Sequence, residues 1–148
     1  MSMPHVKTQT INVDIWADPK EPNGIGFALN EGPGRVQRVA FSNGNHPGVL
    51  VYFKIDDDKK APTGLLFRPD PRDALWVAQG SQDPVAGAQW PGFVPLSVEN
   101  GRRKLLVYCR NESPAQQFKF TLWFLDPQGL AIPYDPIGDG LNGPRGSF

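Results

Sequence analysis

A single cysteine in 148 residues rules out an internal disulfide and a thiolate metal cluster within one chain. Cys109 follows Leu105 and Val107 at two-residue steps. That spacing makes it a small buried apolar side chain on the inner face of a strand, a position that argues against reactivity. Only two histidines occur, His5 and His46, and neither belongs to an HxH or HExxH arrangement, so the sequence gives little support to a first-row metal centre. Charge of one sign is lacking too. Fifteen basic residues balance fifteen acidic ones, which leaves no net field to draw in a polyanion; nucleic acid and anionic membrane are not expected partners. No stretch approaches the ~20 apolar residues of a membrane span, and MSMPHVKTQT has neither a basic nor an apolar leader region. A reducing, cytoplasmic setting is the expectation.

Local catalytic signatures are missing as well. There is no G-x-S-x-G and no G-x-x-x-x-G-K-[ST], and Gly24-Ile25-Gly26 lacks the third glycine and the strand-to-helix context of a dinucleotide fingerprint. No window carries a sustained apolar stripe at the helical period, so helix should be minor.

What the chain does have is two-residue alternation. Gln117–Asp126 reads QFKFTLWFLD, with Phe118, Phe120, Leu122 and Phe124 on one face and Lys119, Thr121, Trp123 and Leu125 on the other. Thr10–Ala17, Val36–Phe41, Val49–Asp56, Ala74–Gln79, Val94–Glu99, Arg103–Asn111 and Gly129–Tyr134 follow suit, with Gly24–Leu29 and Gly64–Phe67 as shorter pieces. Sixteen glycines and sixteen prolines break the chain between these runs. Asn43-Gly44 is a turn signal that predicts a hairpin of Val36–Phe41 with Val49–Asp56. Seven to nine short strands with regular turn signals predict an all-β, antiparallel two-sheet β-sandwich of immunoglobulin-like type, with a jelly roll as the alternative. One domain spans 1–148, with 1–9 and 143–148 as flexible or extended ends.

Carboxylates offer one candidate site. Asp56, Asp57 and Asp58 are contiguous and followed by Lys59 and Lys60, which reads as a solvated turn; a calcium loop of D-x-D-x-D-G type needs alternate positions. Asp135, Asp139 and Asn142 offer oxygens along a glycine-rich tail that could curl around calcium, against the plainer reading of a terminal turn capped by Asp135.

Aromatic placement offers the other. If the phenylalanines of Gln117–Asp126 face the core, Trp123 faces outward, and the same alternation turns Leu50, Tyr52, Leu106 and Tyr108 away from the interior. With neighbouring strands these would make an apolar patch of a kind monomers seldom expose. A loop such as Lys20–Arg35 or Ser81–Gly92, a second subunit, or a ligand would cover it. Tyr52, Tyr108, Trp123 and the loop residue Trp90 are therefore the candidate ligand or interface residues. The expected function is a non-enzymatic binding or assembly module that associates with itself or another protein through this aromatic face or an edge strand. A carbohydrate-binding module, with or without calcium, is the alternative, and a hydrolase using loop carboxylates the second alternative.

Overall fold

The computed structural model describes residues 7–30, 35–42, 47–110, 116–135 and 137–141. His5, His46 and Asn142 lie outside the described residues. The elements, in chain order, are β1 (Lys7–Ala17), β2 (Ile25–Asn30), β3 (Arg38–Ser42), β4 (Gly48–Asp57), β5 (Leu66–Phe67), a single helical turn α1 (Pro71–Ala74), β6 (Leu75–Gln79), β7 (Phe93–Glu99), β8 (Lys104–Arg110), β9 (Gln116–Leu125), β10 (Ala131–Tyr134) and β11 (Ile137–Leu141). The turn α1 starts where the Asp70 carboxylate accepts the Arg72 N–H at 2.9 Å, with Pro71 needing no donor partner there. Among the described residues no helix is long and apolar enough to cross a membrane.

Strands dominate, in two sheets. A five-stranded sheet runs β2-β1-β4-β8-β7, and a six-stranded sheet runs β10-β9-β11-β3 with β5 and β6 also paired to β9. Because Leu122 of β9 pairs with both Tyr134 and Leu75, and Lys119 with both Ile137 and Ala78, β10 and β11 flank β9 on one side and β5 and β6 on the other. The long alternating strand of the sequence is thus the spine of its sheet. Its inward Phe118, Phe120, Leu122 and Phe124 are fully buried. They meet Phe41 from β3 and Phe53 and Phe93 from the opposite sheet, with ring centres of Phe93 at 4.8 Å from Phe118 and 5.3 Å from Phe120. A second aromatic cluster joins Phe124 to Phe67 at 4.8 Å and to Phe27 at 5.3 Å, and Phe27 lies parallel to Tyr134 at 5.0 Å. Offset and tilted contacts of this kind bind the sheets across the interior.

Two expectations are corrected. The predicted hairpin does not form: β3 belongs to the six-stranded sheet, and β4 lies between β1 and β8 in the other. Both strands carry an apolar face, and each presents it to the core from its own side, so that Phe41 and Phe53 meet edge to face at 6.4 Å. Turn chemistry at Asn43-Gly44 is indifferent to which sheet the next strand joins. The sheets are also not purely antiparallel, since β1 runs parallel to β4 over nine residue pairs and β11 parallel to β3. The first strand begins at Lys7, where Thr10 is expected, with Lys7, Thr8 and Gln9 paired to Val49, Leu50 and Val51.

Candidate interaction surfaces

Alternation along β4 and β8 sends Val49, Val51, Phe53, Leu105, Val107 and Cys109 inward, where all are buried. The residues between them face outward. Because β4 and β8 are antiparallel neighbours, Leu50 stands opposite Tyr108 and Tyr52 opposite Leu106, so four apolar or aromatic side chains make a two-by-two block, each only part-buried. Val94 of β7 pairs with Tyr108 and widens the block, and Leu96 nearby is 48% exposed. Two features hold the tyrosines in place. The Tyr108 ring lies across Gly48, where a β-carbon would stand 2.2 Å from its hydroxyl, so glycine is what allows the ring to lie there. The Lys104 ammonium lies 4.2 Å from the centre of the Tyr52 ring.

Trp123 does not share this face. It sits on the outer side of the six-stranded sheet, where its ring centre is 4.7 Å from that of Trp76 and 5.9 Å from the Arg68 guanidinium carbon. The indole N–H groups of Trp76 and Trp123 are both shut off from solvent without a hydrogen-bond partner among the described residues. Trp90 belongs to neither face. It packs on Phe118 at 5.1 Å at the margin of the core and lies over Gly92. The four candidate aromatic residues therefore divide into a tyrosine pair on one sheet, a tryptophan on the other and a loop tryptophan at the core margin. Alternation turns Tyr52, Tyr108 and Trp123 outward, as they stand, but says nothing of which sheet owns the face.

The described parts of the two loops offered as one possible cover of the tyrosine face bond elsewhere. The chain before β7 is held to β6, with Val77 N–H donating to Ala88 O at 2.9 Å and Gln89 Nε2 to Leu75 O at 2.9 Å. Beyond β2, Val36 and Leu29 exchange backbone bonds at 2.8 Å each way.

The acidic candidates separate likewise. Asp135 accepts a short bond from Thr121 Oγ1. Asp139 stands on β11, which is paired on both sides, to β9 and β3; the glycine-rich tail is a strand over Ile137–Leu141 and does not curl there. With Asn142 outside the described residues, the three proposed calcium ligands are not seen together. Among the described residues no group of three or more His, Cys, Asp or Glu side chains is placed to hold a metal ion. Asp57, read as part of a solvated turn, instead organises the chain after β4: its oxygens accept from Asp58 N, Thr63 N, Thr63 Oγ1 and Gly64 N, all at 2.9 Å.

Two recesses were not foreseen. One, of about 270 Å³, has Ile25, Phe27 and Pro133 against Glu21, Asn23 and Gln37. At its edge the Tyr134 hydroxyl donates to Gln37 Oε1 at 2.6 Å, and burial pushes that hydroxyl well above its ordinary pKa. The second, of about 240 Å³, lies at the acidic end of β1 and β4 and is lined by Asp14, Trp16, Arg35, Asp56 and Asp58. Both depend on register between strands distant in sequence, which local pattern does not carry. Compared with protein-family models and with curated proteins, the sequence finds no match in either.

Proposed function

We propose that the chain is a non-enzymatic assembly module that associates with a second copy of itself through the outer face of the five-stranded sheet. The observation that carries this reading is the in-register block of Leu50, Tyr52, Leu106 and Tyr108, extended by Val94 and Leu96. Face packing is favoured over edge pairing because both edges of that sheet are blunted. The β2 edge is engaged by Val36, and the β7 edge carries Pro95 and a bulge between Pro95 and Ser97. An isologous contact between two such faces would bury the two tyrosines centrally, the aromatic enrichment expected of such interfaces. An immunoglobulin-like arrangement and a cytoplasmic setting accompany this reading. The first draws support from the strand path that changes sheet between β3 and β4, the second from a single cysteine buried on β8.

The test is solution mass by light scattering over a wide concentration range for the native chain, Tyr52→Ser/Tyr108→Ser and Trp123→Ser. Association should persist in the Trp123 variant and vanish in the tyrosine pair variant. A native chain that stays monomeric throughout refutes the reading. One observation favours a second reading, a saccharide platform: the Tyr108 ring lies along the sheet across Gly48, as a ring that stacks on a pyranose would. Saccharide titration of the monomer with tyrosine fluorescence as readout tests it. Calcium belongs to this second reading alone, and chelator-treated protein should then melt higher when calcium is restored.

A further inference from the structure

We propose that the recess at Asp14, Trp16 and Asp56 is a binding site for a guanidinium group, which the chain's own Arg35 fills when no ligand is present. Asp14 stands between the inward Val13 and Ile15 and so faces the outside of the five-stranded sheet. An outward carboxylate is ordinarily solvated, yet the Asp14 side chain is only 8% exposed. What covers it is Arg35, whose side chain is 56% exposed and therefore lies outermost.

The cover is incomplete in a specific way. Arg35 Nε reaches Asp14 Oδ2 at 3.0 Å, and Asn30 Nδ2 reaches the same oxygen at 3.4 Å. Oδ1 is closed to solvent and has no hydrogen-bond partner among the described residues. A buried, unpartnered carboxylate oxygen is costly and rare enough to require a reason. A guanidinium that met Asp14 through two parallel N–H donors would satisfy both oxygens, which the single Nε contact of Arg35 does not.

The rest of the recess suits the same group. The Arg35 guanidinium carbon lies 4.2 Å from the centre of the Trp16 ring, so the indole already serves as a stacking surface for a planar cation. Trp16 can lie flat because its cross-strand partner is Gly26, where a β-carbon would come within 2.3 Å of the ring. Asp56 is the register partner of Asp14 on β4, and Asp58 is drawn in by its N–H bond to Ile15 O at 3.0 Å. Among the described residues lining the recess Arg35 is the one cation against these carboxylates, which leaves a surplus of negative charge at the mouth. A volume of about 240 Å³ leaves room for a side-chain head group.

The test is titration of the full chain at physiological salt with methylguanidinium and with acetyl-Gly-Arg-Gly-amide. The readout is the Trp16 indole N–H resonance, assigned by Trp16→Phe. Removing the internal competitor with Arg35→Ala, or with Arg35→Gln if the alanine variant does not fold, should tighten binding on the order of tenfold over the native chain. Asp56→Asn/Asp58→Asn in the native background should weaken it. Tighter binding of the peptide than of methylguanidinium assigns the site to a polypeptide arginine, and equal binding assigns it to a small organic cation. If neither Arg35 variant binds either probe more tightly than the native chain, or if binding survives Asp14→Asn unchanged, the proposal is wrong.

Discussion

Replacing Asp57 by alanine should destabilise the protein by about 2–4 kcal/mol. Its carboxylate accepts three bonds at Oδ1 and one at Oδ2, each at 2.9 Å, and three of the four donors are backbone N–H groups. Hydrogen bonds to a charged acceptor contribute roughly 1.5–3 kcal/mol apiece, so simple addition would exceed 6 kcal/mol. The smaller figure follows from partial exposure: Gly64 is on the surface and Thr63 half-buried, so water replaces some of what is lost. For a domain of this size each kcal/mol moves the melting temperature by roughly 2–4 °C, which puts the expected drop at about 5–15 °C. Asp57→Asn is the sharper comparison. It keeps an oxygen for Asp58 and Thr63 but turns an amide N–H towards the Gly64 N–H, and should lose about half as much. Urea unfolding of the three proteins, with limited proteolysis between Asp58 and Thr63, measures both effects. An alanine variant within about 0.5 kcal/mol of the native chain would refute the view that this carboxylate organises the loop.

Phe120→Ala should cost about 3–5 kcal/mol in urea unfolding, because the ring is fully buried and touches Phe41, Phe53, Phe93 and Phe118. Gly48→Ala should displace the Tyr108 ring and cost about 1 kcal/mol, and adding Tyr108→Ala to it should remove most of that penalty in a double-mutant cycle. Burial raises the Tyr134 hydroxyl pKa above its unfolded value of 10.0, so the folded state holds that proton more tightly. The corresponding stability is fully present below pH 10 and is lost as pH climbs further; Tyr134→Phe should flatten this alkaline decline in melting temperature.

Much of the sandwich is legible in the sequence because burial on one side of a strand writes itself as a period of two. The face of every residue from Gln117 to Leu125 can be read that way, and so can the outward positions of Leu50, Tyr52, Leu106 and Tyr108. Which strands are neighbours is a different kind of information. Tyr52 and Tyr108 are brought together by the β4–β8 register, while Trp123 is carried to the opposite sheet, and no local pattern distinguishes the two outcomes. The tail after Asp135 is least legible in the sequence: its glycines at 138 and 140 suggest a loop, yet β11 is paired on both sides by backbone bonds. Asp57 was likewise hidden, since a run of three aspartates followed by two lysines looks like surface until the loop it ties is known.

The position of β11 has a bearing on how the protein comes into being. Among the described residues β3 pairs within its sheet with β11 alone, although residues 43–136 lie between the two strands. As the polypeptide leaves the ribosome, the apolar side of Val39 and Phe41 is made early and has no strand beside it until residue 141 has emerged. The five-stranded sheet can close well before that, since all of its members precede Asn111. Synthesis therefore yields one finished layer facing an open one, and the interval between them is when the nascent chain is most in need of protection from aggregation.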